Sequence, residues 1–101
     1  MISFCKMQGA GNDFVIINCF TEHFRYNFSD FAEFLCNRKF GIGADGLIYL
    51  FPGNKAKFKM RIFNKDGSEA EMCGNGIRCL SRYIYENKLI REKIFRVIRR
   101  V

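Results

Sequence analysis

The chain has 101 residues, enough for one compact domain with its own core. Hydrophobic residues make up 49% of it, which excludes a disordered tail, and no run nears the ~18 apolar residues of a membrane span. The formal charge is +7, but Lys88 to Val101 holds six basic residues against one acid, so the basicity sits in a tail and not on a binding face.

Ser3 to Met7 reads as a first strand, and Gln8 to Asp13 as a Gly-rich loop. Phe14-Val15-Ile16-Ile17 is a continuous β-branched and aromatic run, the pattern of a buried strand. Asn18 to Asn27 reads as loop. Ser29 is a suitable N-cap for a helix running to about Arg38, with Phe31, Phe34 and Leu35 on its apolar face and Cys36 as buried filler. Gly41 to Gly46 is a second Gly-rich loop. It leads into a strand, Leu47 to Phe51, which Pro52 stops.

From Lys57 to Phe63 the chain alternates. Phe58, Met60 and Ile62 point one way; Lys57, Lys59 and Arg61 point the other. Asn64 to Ser68 is turn chemistry centred on Asp66-Gly67, and Glu69 to Met72 returns as the hairpin partner. A helix follows from about Gly74, with Ile77, Leu80, Ser81 and Ile84 at helical spacing and Asn87 near its end. Ile94 to Ile98 reads as a last strand. The predicted architecture is α+β: a strongly bent, mostly antiparallel sheet partly wrapping the helix that starts near Gly74.

The chemistry concentrates at Met72-Cys73-Gly74-Asn75-Gly76-Ile77-Arg78-Cys79. A strand delivers Cys73 to the start of a helix, where backbone N–H groups lack intrahelical partners and favour anions. A thiolate there is stabilised, so its pKa falls. Gly74 and Gly76 let a ligand approach the backbone, and the N–H groups of Gly74 and Asn75 suit a carboxylate. A buried Cys before a helix is more often an inert small hydrophobe, so spacing alone does not decide for reactivity.

Five cysteines with no C-x-x-C, and no secretory signal over Met1 to Asn12, point to free thiols in a reducing cytoplasm. Cys5, Cys19 and Cys79 read as buried. The sole histidine, His23, sits in a loop, and no second Cys/His pair accompanies Cys73 and Cys79, so no metal is expected. Neither Gly-rich loop fits a nucleotide-binding pattern. By residue type alone, Asn12, Asp13, Asn64 and Asp66 are turn residues that cap local backbone.

Four segments in order carry a family resemblance. Lys6-Met7-Gln8-Gly9-Ala10-Gly11-Asn12-Asp13-Phe14, Gly41-Ile42-Gly43-Ala44-Asp45-Gly46-Leu47, Arg61-Ile62-Phe63-Asn64-Lys65-Asp66-Gly67-Ser68 and Met72 to Cys79 together resemble the motifs of diaminopimelate epimerases. The resemblance implies an isomerase that interconverts LL- and meso-diaminopimelate for lysine and peptidoglycan synthesis, with neither pyridoxal phosphate nor metal. Two cysteines would flank the substrate α-carbon, one removing a proton and the other returning one. Carried over, Cys73 is one thiol and the usual proton donor. Gly74 and Asn75 bind the reacting end of the substrate through their N–H groups, and Asn12 and Asn64 contact it with side-chain amides. Some members carry Gln where this chain has Gly46, so that contact is missing here, or made by backbone or water.

The resemblance also implies two similar domains with the site in the cleft between them, and a homodimer as in the family. Residues 1–101 would be the N-terminal domain of the two. The partner thiol and further substrate contacts would lie in a second domain beyond Val101, and residues 99–101 depart from the family pattern. The expectation is a frameshifted, split or truncated product with little or no activity by itself. The alternatives are a non-catalytic remnant, a proline racemase relative, and a small basic nucleic-acid-binding domain. The last rests on the tail alone, with no helix-turn-helix or RNA-binding aromatic signature.

Overall fold

The chain opens with an antiparallel pair, β1 (Cys5–Gly9) and β2 (Asn12–Asn18), seen in a computed structural model that describes residues 4–9, 11–20, 24–53, 58–71, 74–87 and 97–99. Gly9 pairs directly with Asn12. The segment from Gln8 to Asp13, expected as a loop, is therefore mostly paired strand around a tight turn, in which Gly11 takes a φ of +90° that only glycine adopts freely.

Helix α1 (Phe28–Cys36) then crosses over to β3 (Gly46–Pro52), which lies parallel to β2. A parallel neighbour needs such a crossover. Strand β4 (Phe58–Asn64) pairs antiparallel with β3 along its whole length, and the short β5 (Glu69–Ala70) closes the hairpin expected there. Helix α2 (Gly74–Glu86) follows, and β6 (Val97–Arg99) lies parallel to the start of β4. The sheet order is β1-β2-β3-β4-β5, with β6 also on β4. Three of the five pairings are antiparallel, in line with the α+β expectation.

Both faces of the sheet are covered, which explains the two unbroken apolar runs. Along β2, Phe14 and Ile16 face α2 with Ile48, Leu50, Met60 and Ile62, against Cys79, Leu80 and Ile84 of the helix. Val15 and Ile17 face the other way with Leu47, Tyr49 and Phe63, against Ala32, Leu35 and Cys36 of α1. Each fully buried side chain of this kind contributes about 1.5–3 kcal/mol. Strand β4 alternates because Lys59 and Arg61 lie toward the edge of the α1 layer. Arg61 stacks its guanidinium over Phe28 and Phe63, at 4.9 and 5.1 Å, and forks onto Glu69 at 2.7 and 3.0 Å.

Helix α1 departs from its predicted cap and face. Asn27 is the N-cap, its side chain accepting from the Asp30 N–H, while Ser29 lies inside the helix and donates to the Gly67 carbonyl. The buried stripe is Ala32, Leu35 and Cys36; Phe34 is 58% exposed. Cys79 is buried as expected, but Cys5 and Cys19 are half-buried. Cys5 and Cys36 are free thiols. No helix among the described residues is long and apolar enough to cross a membrane.

Candidate active site

Register brings two of the sequence-predicted residues, Asn12 and Asn64, to one end of the sheet. Phe14 pairs with Gly46, and Gly46 pairs with Asn64. Asn12, two residues before Phe14 on β2, stands at the same end. The β5 strand runs back from that end, Glu69 opposite Phe63 and Ala70 opposite Ile62, and α2 begins four residues after it. Gly74 and Asn75 form the first turn of α2, where backbone N–H groups have no intrahelical acceptor. No acidic side chain occupies that turn to neutralise its positive end. Cys73 lies outside the described residues, as does the tail before Val97 on which the nucleic-acid reading rested.

The second Gly-rich segment does not offer its amides to a ligand. Helix α1 ends with unsatisfied carbonyls, and this loop folds back to meet them. The N–H groups of Ile42 and Gly43 donate to the Leu35 carbonyl at 2.9 and 3.1 Å, and that of Ala44 to the Cys36 carbonyl at 3.2 Å. Gly41 sits against the helix end so closely that a Cβ there would overlap the carbonyl oxygens of Phe34 and Leu35.

The loop then delivers Asp45. Its N–H donates to the Asp13 carbonyl at 2.9 Å, and its Oδ2 accepts the Asp13 N–H at 2.8 Å. The Asn12 amide Nδ2 approaches the same oxygen at 3.4 Å. Arg38 reaches Asp45 Oδ1 at 3.4 Å and Asp13 at 3.8 Å, and Lys6 reaches Asp13 at 3.8 Å. The Asp13 N–H, then Asn12, Arg38 and Lys65, hold the Asp45 carboxyl below its ordinary 3.8.

Asn64 is held in a parallel way. Its Nδ2 donates to Ser68 Oγ at 3.0 Å, and the Ser68 hydroxyl donates to Asp66 Oδ1 at 2.6 Å. The Ser68 N–H also donates to that carboxylate, at 2.9 Å, and these bonds hold the Asp66 carboxyl below its usual range. Asp66 is thus the turn residue its type suggested, and it also anchors the amide at Asn64. Asp45 and Ser68 lay within the motif segments without being assigned a role, and Arg38 lay outside them. Among the described residues, no three His, Cys, Asp or Glu side chains gather as metal ligands would. Buried Cys36 has its thiol pushed up to about 11, first by desolvation and then by the Asp45 charge, so it stays protonated.

Against known proteins, the family model for diaminopimelate epimerase matches residues 4–99. This chain belongs to the diaminopimelate epimerase family. The diaminopimelate epimerase of Moorella thermoacetica is 57% identical over 86 residues, covering 85% of this chain and 31% of that protein. That of Acetivibrio thermocellus is 49% identical over 94 residues, covering 93% of this chain and 33% of that protein. The chain therefore spans about a third of the length of the diaminopimelate epimerases it matches. The fold is shared more widely. A Bacillus anthracis phenazine biosynthesis protein of the PhzF family superposes over 96% of this chain, and 31% of its own, with a TM-score of 0.65 at 17% identity.

Proposed function

We propose that residues 1–101 form the N-terminal domain of a diaminopimelate epimerase and supply one side of its active site. The observation that carries this reading is that α2 begins at Gly74, the residue after Cys73, in a chain of this family. The amides of Gly74 and Asn75 would bind the carboxylate at the reacting carbon. Its negative charge grows as the α-proton leaves, and the helix N-terminus stabilises that charge without reorganising. Cys73 would exchange a proton with the α-carbon from one face. Asn12 and Asn64 would hold the substrate at the same end of the sheet.

Inversion needs a second acid–base group on the opposite face, and in this reading a second domain provides it. With a thiol on one face only, a proton removed is returned to the side it left. The isolated 101-residue chain is therefore expected to give no measurable epimerisation. The test joins this chain to the remaining two thirds of the Moorella relative and follows the interconversion of LL- and meso-diaminopimelate. Cys73→Ala should lower the rate by at least about 100-fold, the usual worth of a positioned acid or base. Cys36→Ala, at a buried protonated thiol, should leave it within a few-fold. Undiminished epimerisation in Cys73→Ala would falsify the assignment.

A further inference from the structure

We propose that Asp45 is a positioning residue for substrate binding: it clamps the start of β2 to the loop before β3 and so sets where Asn12 stands. The proposal rests on the reading of Asn12 as a substrate contact and adds to it the group through which that contact is held. The clamp is reciprocal. One bond runs from the Asp45 N–H to the Asp13 carbonyl and one from the Asp13 N–H to the Asp45 carboxylate. Residues 32 apart are thereby locked across two segments that no strand pairing joins at this point.

A carboxylate fits the role on both oxygens: Oδ2 takes the amide donors and Oδ1 faces Arg38, where an amide would turn its NH2 to the guanidinium. Two N–H donors, the Asp13 backbone and the Asn12 amide, converge on the single oxygen Oδ2. An ionised carboxylate is acceptor-only, so it can face both, and an amide set against it must present its NH2. The backbone bond at 2.8 Å is the strong one; the 3.4 Å approach of Asn12 is long, so Asp45 acts mainly by fixing the backbone from which Asn12 projects. Arg38 keeps the carboxylate turned inward by touching its other oxygen and Asp13 together. Asp45 in turn is held by the loop whose amides close the end of α1. The second Gly-rich motif thus has a task that needs no ligand of its own: it carries a rigid carboxylate from a helix end to the substrate side of the sheet.

The test has two arms. In the first, amide NMR of the 101-residue chain follows the Asp13 backbone N–H and the Asn12 side-chain NH2. Both should shift together as pH falls through the Asp45 pKa, and both should move in Asp45→Asn while the signals of β3 and β4 stay in place. Signals at Asp13 and Asn12 that ignore Asp45 overturn the proposal without any turnover being measured. In the second arm, the same chain completed by the remainder of the Moorella relative is assayed with diaminopimelate. Asp45→Asn should raise KM about tenfold with kcat within about threefold, the signature of lost binding and not of lost chemistry. In an Asn12→Ala background, adding Asp45→Asn should change kcat/KM less than about twofold, since a residue acting through Asn12 has nothing left to position. If Asn12→Ala lowers kcat/KM and Asp45→Asn does not, the positioning role fails while the reading of the site stands. If Asn12→Ala itself is without effect, it is the assignment of Asn12 as a substrate contact that fails.

Discussion

Tyr49→Phe removes one oxygen atom from the most crowded part of the α1 layer, and its effect can be worked from the structure. Tyr49 is 0% exposed, and its hydroxyl donates to the Phe28 carbonyl at 2.8 Å. That bond ties the first residue of α1 to the centre of the sheet. Replacing the phenol by a phenyl ring leaves the packing intact and takes a donor from a part-buried carbonyl. The net loss is about 1–1.5 kcal/mol. In a domain of this size each kcal/mol moves the melting temperature by about 4–8 °C, so Tyr49→Phe should melt about 4–12 °C below the wild type. Tyr49→Leu gives the comparison. It also removes ring contacts with Phe28, Phe24 and Phe63, whose centroids lie at 4.6, 5.1 and 5.5 Å. Aromatic pairs add about 0.5–1.5 kcal/mol each beyond burial, so Tyr49→Leu should be worse by a further few kcal/mol. Thermal unfolding followed by circular dichroism reads both. A Tyr49→Phe protein melting within about 2 °C of the wild type would refute the role given to this bond.

Two further outcomes follow from packing and burial. Gly41→Ala places a methyl group on the Phe34 and Leu35 carbonyls, so backbone must move; a loss of about 3 kcal/mol or more is expected, and an unchanged urea midpoint would contradict the loop geometry. The Cys36 thiol is raised from 9.0 to about 11, and the Tyr49 phenol is raised above its ordinary 10.0, both chiefly by desolvation. The unfolded chain therefore releases these protons first, so the stability they give is whole below pH 9 and declines as pH rises toward 11. Urea midpoints should fall across that interval, and a rise would reverse the sign of the argument.

The parts of the fold legible in the sequence are those where burial acts on a periodic pattern. Strands β2 and β3 were readable because helices cover both faces, and β4 because Phe58, Met60 and Ile62 share one core while Lys59 and Arg61 reach the edge of the other. The start of α1 was misplaced because Ser29 and Asn27 are equally good caps by type. What separates them is a carbonyl at Gly67, 38 residues from Ser29. On α1, Leu35 and Cys36 are buried as read, whereas the small Ala32 was missed and the larger Phe34, which is exposed, drew attention to the wrong side. At the candidate site, Asn12, Asn64, Gly74 and Asn75 were picked out through family resemblance. Asp45 lay in the second motif segment, but its role was not legible there: an aspartate among glycines looks like turn chemistry, and its partner Asp13 lies 32 residues away along the chain.

Gly46 closes the account of that sheet end in another way. A side chain begun there would meet the Phe14 ring at 3.0 Å and the Phe63 carbonyl at 3.1 Å. A side chain at position 46 therefore requires both the Phe14 ring and the β4 backbone at Phe63 to give way, and Phe14 belongs to the core beneath α2. Any lineage that lengthens residue 46 should carry the record of that adjustment in a smaller or reoriented residue 14 or a displaced β4 backbone.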